Sequence, residues 1–109
     1  MMTRFQALEL SIDMIRSLRG SLSRIRQRSP KLADQLERAA SSVPLNLSEG
    51  RRRTGKDRRH HCRIATGSAD ETLTALRVAE AWGHLKLDDI EEPLRLLNRL
   101  LGILWSLNR

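Results

Sequence analysis

Apolar residues recur along the chain at steps of three and four. From Phe5 to about Arg28 they fall at Leu8, Ile12, Ile15, Leu18, Leu22 and Ile25, with Glu9, Asp13, Arg16, Ser17, Arg24 and Gln27 opposite. This is the period of an amphipathic helix, interrupted only mildly by Gly20. Ser29 and Pro30 then supply a cap and a favoured first helical residue. A second helix follows after a very short connection, and two helices joined in this way are expected to lie antiparallel.

The second helix carries Leu32, Leu36, Ala39, Ala40, Val43 and Leu47 on one face. Arg38, Ser42, Asn46 and Glu49 form a polar stripe beside it. Pro44 removes one backbone hydrogen bond and crowds the carbonyl of Ala40. The apolar phase is the same on both sides of it, which predicts a kink rather than a break, with Ser42 available to cap a restart. Gly50 marks the end of this helix or a weak point before its last turn. Thr54 followed by Asp57 has the pattern of a capping box, so a third helix is expected from near Gly55 to Trp82 or Gly83. Its inward face is small: Ala65, Ser68, Ala69, Thr72, Ala75 and Ala79, with Ile64, Leu73 and Leu76 adding bulk.

A second capping pattern, Asp88-Asp89-Ile90-Glu91, opens a fourth helix from about Asp89 to Leu107. Ile90, Leu94, Leu97, Leu101 and Leu104 make one apolar row, and Leu96, Leu100, Ile103 and Leu107 make a second. Together the rows span about 200°, wider than one core face needs. The second row is therefore expected to pack on another copy of the chain, making a homo-oligomer. The alternative is a small bundle that buries helix four more deeply. Residues 1–109 thus read as one all-α domain, an antiparallel up-down-up-down four-helix bundle.

Composition agrees with that fold. Aromatic residues make up 3% of the chain, with no tyrosine, so the core must be Leu, Ile and Ala, which favours helix over sheet. The 20 Lys and Arg against 13 Asp and Glu give a formal charge of +7, and an acidic partner, nucleic acid before anionic membrane, is plausible on that ground. The single cysteine, Cys62, makes no internal disulfide and suits a reducing compartment. The opening MMTRFQALELSIDMIR is broken by charges and has no cleavage site, so no signal peptide is expected. With no apolar run near the roughly 20 residues a bilayer requires, the expectation is a soluble cytoplasmic protein with no membrane role.

Candidate chemistry is sparse. His60-His61-Cys62 invites a metal, but adjacent helical residues point about 100° apart. Apart from Asp57, four residues before His61, neither histidine has a ligand at that spacing, and Arg58, Arg59 and Arg63 would repel a cation. No nucleophile stands beside a base, and there is no phosphate-loop motif. Glu49 near Arg38 reads as a structural ion pair, because a carboxylate beside an arginine is a poor acid at neutral pH. No catalytic residue, metal or cofactor is expected. What stands out is the basic run Arg51, Arg52, Arg53, Lys56, Arg58, Arg59 and Arg63, opposed only by Glu49 and Asp57. Arginines on a turn and on the first turns of a helix suit phosphate groups. With no Phe, Tyr or Trp between Arg38 and Arg77, backbone contact with structured RNA or DNA fits better than stacking on bases.

The stretch RAASSVPLNLSEGRRR resembles the signature RAA-x-S-(I/V)-P-x-N-(I/L)-(A/S)-EG-x-x-R of the 23S rRNA intervening sequence proteins, through Arg38, Ala39, Ala40, Ser42, Val43, Pro44, Asn46, Leu47, Ser48, Glu49, Gly50 and Arg53. RIATGSADE resembles a second motif, R-I-A-x-G-S-x-x-E, through Arg63, Ile64, Ala65, Gly67, Ser68 and Glu71. Order and spacing agree over nearly the whole chain. The resemblance, which extends to accessory proteins of diversity-generating retroelements, implies a four-helix bundle, a ring-shaped homopentamer and association with nucleic acid, RNA foremost. The His60-His61-Cys62 turn departs from the family pattern. On this reading Arg38, Asn46, Glu49 and Glu71 are a structural polar network, the basic run is the binding surface, and Leu96, Leu100, Ile103 and Leu107 face another copy. The rival function is a protein-interaction scaffold, for instance one docking a polymerase, with no direct nucleic-acid role.

Overall fold

Capping chemistry at each joint sets the helix boundaries. In the computed structural model, which describes residues 3–108, α1 spans Arg4–Arg28, α2 Pro30–Arg51, α3 Gly55–Ala81 and α4 Glu91–Leu107, with a 3-10 turn at Leu87–Ile90. Met1, Met2 and Arg109 lie outside the described residues. Thr3 and Gln6 close a capping box at the start of α1. Ser29 is the whole connection between α1 and α2. Its N–H donates to Ile25 O at 2.7 Å, and its hydroxyl accepts from Leu32 N–H at 3.3 Å.

The third helix starts where expected, but Thr54 makes no side-chain cap. Gly55 enters the helix at φ +58°, a conformation an L side chain resists. The acidic cap before α4 also sits elsewhere. The Asp89 carboxylate accepts the Lys86 N–H at 2.9 Å and closes the 3-10 turn, so α4 proper begins at Glu91. Pro93, in the first turn of α4, has no N–H for the Asp89 carbonyl. Ser21 of α1 donates to that carbonyl instead, at 3.2 Å, and Arg24 pairs with the Asp89 carboxylate at 2.8 Å. Pro44 leaves α2 as one helix from Pro30 to Arg51, so no restart needs Ser42 as a cap.

One apolar cluster draws on all four helices: Met14, Leu18 and Ile25 of α1, Leu36, Val43 and Leu47 of α2, Ala65, Ala69 and Leu76 of α3, and Leu97, Leu100 and Leu104 of α4. The α1 face is rotated from the expected one. Ala7, Ser11, Met14 and Ser21 are buried, while Leu8, Ile12, Ile15 and Leu22 lie half-buried at its edge. Small residues win the centre because α1 must come close to its neighbours, and Ser11 satisfies its hydroxyl on Leu8 O at 2.7 Å. On α3, Ile64 is exposed rather than inward.

Helix four corrects a larger expectation. Leu96, Leu100 and Ile103 are buried within this chain and Leu107 is half-buried. This second row is not left for another copy, because α4 packs against both α1 and α3 and uses both rows to do so. Besides Leu107, the large apolar residues of α4 that are not fully buried are Leu94 and Leu101, half-buried, and Trp105, exposed.

Replacing Leu100, which is fully buried, by alanine is expected to cost about 2–5 kcal/mol of stability in denaturant unfolding. Trp105→Ala on the outer row should stay within about 0.5 kcal/mol.

Candidate nucleic-acid interface

The basic residues gather where α2 ends and α3 begins. Gly50 makes that junction tight. It is helical, with no left-handed backbone, so its small size is what matters. A Cβ there would lie 3.3 Å from His61 Cβ and 3.6 Å from Arg58 O, and the missing side chain lets the last turn of α2 approach the first turns of α3. The start of α1 joins the same end, with the Arg51 guanidinium 5.5 Å from the centre of the Phe5 ring.

A chain of polar side chains ties the two helices together below the junction. Asn46 Nδ2 donates to Ser42 O at 2.9 Å and to Ser42 Oγ at 3.0 Å. Ser68 donates to the same hydroxyl at 2.8 Å. With the Asn46 amide nitrogen so directed, its Oδ1 accepts from His61 Nδ1 at 3.0 Å. The network is therefore Ser42, Asn46, His61 and Ser68, and of the expected members only Asn46 belongs to it. Arg38 and Glu71 are exposed, and Glu49 pairs with Arg53 rather than Arg38. Ser42 and Ser68 were legible as motif positions. His61 was not, because its neighbours His60 and Cys62 suggested metal chemistry. Among the described residues no group of three His, Cys, Asp or Glu side chains could hold a metal ion. Burial pushes the Cys62 thiol up, against a smaller opposing effect of Arg4, which disfavours the reactive thiolate.

The cations fall into two sets. Arg53 holds Glu49 at 2.7 Å, through both Nε and Nη2 on one carboxylate oxygen. Arg58, half-buried, donates from Nε to Arg53 O at 2.9 Å and so satisfies a carbonyl of the turn that follows α2. Arg51 lies over Phe5. These residues build the turn. Arg52, Lys56, Arg59 and Arg63 are exposed and make no ion pair among the described residues. Glu49, one of two carboxylates in the run, is already engaged, and the hydrogen bond and charge of Arg53 hold it below its ordinary value. What remains is a phosphate-sized surplus of positive charge beside the α3 N-terminus.

The two motif stretches lie face to face, and the Ser42–Ser68 bond joins them. The family model of the 23S rRNA-intervening sequence protein matches residues 5–106. The chain belongs to this family. No curated protein and no solved structure gives a match. For this 23S rRNA-intervening sequence protein, the shared signature is thereby located chiefly in the α2–α3 contact, while Arg52 and Arg59 lie outside the motif positions.

Two outcomes check the site. Removing Asn46 as alanine strands the His61 donor and takes a donor from the carbonyl and hydroxyl of Ser42, and a stability loss of about 1–3 kcal/mol is expected in denaturant unfolding. Because the Glu49 carboxyl is lowered in the folded chain, its contribution is complete above the ordinary value of 4.5 and is lost as pH falls through the folded value. Unfolding midpoints followed from neutral into acid pH should therefore fall less steeply for Glu49→Gln than for the wild type.

Proposed function

We propose that this protein is a non-enzymatic helical bundle of the cytoplasm that binds the backbone of structured nucleic acid, RNA foremost, at the α2–α3 end. The observation that carries the reading is the unneutralised set Arg52, Lys56, Arg59 and Arg63 beside a turn built by Arg51, Arg53 and Arg58. Backbone recognition of this kind is electrostatic and little dependent on sequence. The reference to 23S rRNA in the family description supports RNA as the partner class.

An antiparallel up-down-up-down order is part of the proposal. It is supported by bonds whose sequence positions converge on each joint: Arg26 with Asp34 and Glu37, Ser42 with Ser68, and Thr66 with Asn108. Self-association into a ring is proposed as well, with its surface moved from the buried row of α4 to Leu94, Leu101 and Trp105, beside Leu87 of the 3-10 turn. A ring would repeat the basic end around its rim.

The second reading is a protein-docking scaffold. It is favoured by Leu45, 68% exposed on α2 beside an open groove of about 740 Å³ lined by Arg38, Ser41 and Asn46. No helix of the described residues is long and apolar enough to cross a membrane.

Binding of duplex RNA and duplex DNA, measured against salt, tests the main reading. Joint replacement of Arg52, Arg59 and Arg63 by glutamate should weaken binding and flatten the salt dependence by about 0.9 for each phosphate no longer neutralised. Unchanged affinity removes nucleic acid from this end, and capture of a protein that survives nuclease and high salt favours the scaffold. In light scattering, a Leu94→Gln, Trp105→Gln double variant should be monomeric where the wild type is oligomeric, with the fold retained by circular dichroism.

A further inference from the structure

The other end of the bundle carries the aromatic residue that the basic run lacks. Trp82, at the C-cap of α3, is 74% exposed, the most exposed large apolar side chain of the described residues. It does not stand alone. It borders an open groove of about 450 Å³ whose lining includes Arg28, Lys31 and His84 and the apolar Leu32 and Val78, with no carboxylate among the lining residues. Three acids near this end are engaged elsewhere, and the exposed Glu80 and Asp88 do not line the groove. Arg26 takes Asp34 at 2.6 Å and Glu37 at 2.9 Å, and Arg24 takes Asp89 at 2.8 Å. Arg28 and Lys31 make no ion pair among the described residues.

An exposed indole set in a cationic groove is the pairing that single-stranded nucleic acid uses. The base stacks on the ring, and the adjoining phosphates meet the cations. A folded duplex offers the phosphates without a free base face. We infer that the Trp82 groove binds an unpaired nucleotide, the base on Trp82 and its phosphates on Arg28 and Lys31. The site lies at the opposite end of α2 from Arg52, about 30 Å away at 1.5 Å per residue. It rests on the proposed nucleic-acid function only for the class of ligand. A structured RNA held by its backbone at one end could thus present an unpaired segment to the other.

Trp105→Phe leaves Trp82 as the sole indole, since the chain has two tryptophans. Short oligouridylate added to this variant should quench the remaining fluorescence, whereas inorganic polyphosphate should not. Trp82→Ala should weaken oligouridylate binding about fivefold to a hundredfold, and Trp82→Phe should restore most of it. Arg28→Gln with Lys31→Gln should reduce the salt slope by about 0.7 for each phosphate released. Duplex binding should be unchanged by Trp82→Ala but weakened by the Arg52, Arg59, Arg63 variant. Three results overturn the inference: unaltered oligouridylate affinity in Trp82→Ala, equal quenching by polyphosphate, or a Trp82→Ala variant that changes assembly mass in light scattering, which assigns the surface to a second copy. If duplex binding responds to the basic-end variant while Trp82→Ala has no effect, the proposed function stands and this site falls. If oligouridylate binding depends on Trp82 while the basic-end variant changes nothing, the reverse holds.

Discussion

The close approach of α2 to α3 governs the rest of this structure. Gly50 on one helix leaves no side chain between itself and His61 and Arg58 of the other, whose buried positions include the small Ala65 and Ala69. Small side chains bring two backbones together at the cost of the apolar area that larger ones would bury. A short interhelical distance in turn puts serine hydroxyls within reach of each other. The polar chain from Ser68 through Ser42 and Asn46 to His61 exists only at that distance, and it fixes the rotation of one helix against the other in a way that apolar packing alone does not.

That contact also explains the position of the arginines. Gly50 lets α2 run down against α3 until the chain turns through Arg52–Thr54, and Gly55 admits the left-handed step that restarts the helix. Arg53 and Arg58 then stabilise the turn from within, one on Glu49 and the other on a backbone carbonyl. A basic sequence so arranged divides its labour. Some guanidiniums are bound by the fold and the rest are held outward by it, so the run of like charges is tolerated without unravelling the junction.

Much of this was legible in the residues. The four helices, the start of α3 at Gly55 and the role of Ser29-Pro30 follow from period and capping chemistry. The hidden parts share a cause. On α1 the large residues Leu8, Ile15 and Leu22 outweigh Ala7, Ser11 and Ser21 in hydrophobic pattern, yet the small ones hold the centre. On α4 two apolar rows exceeded what one core face needs, but a bundle this small wraps the helix on more than one side, and Leu96, Leu100 and Ile103 are inside. Hydrophobicity reports what can be buried, and distance between helices decides what is. Partner choice for polar groups is equally hard to read: Glu49 shares its helix with Arg38 and Arg51, yet it pairs with Arg53, in the turn just beyond the helix.

Ser29 has one further consequence, for how this chain can vary. A single residue closes α1 and opens α2 with the same backbone and side-chain groups, so the two helices are phased like gear teeth with no clearance. One inserted residue there would turn α2 by about 100° and swing its small face away from α3. The Arg52–Thr54 turn carries no such double duty, and added length there would disturb the Arg53–Glu49 and Arg58–Arg53 bonds without rephasing α1 against α2. Insertions and deletions should therefore be absent at the first joint and better tolerated at the second, where the basic end changes from one relative to the next.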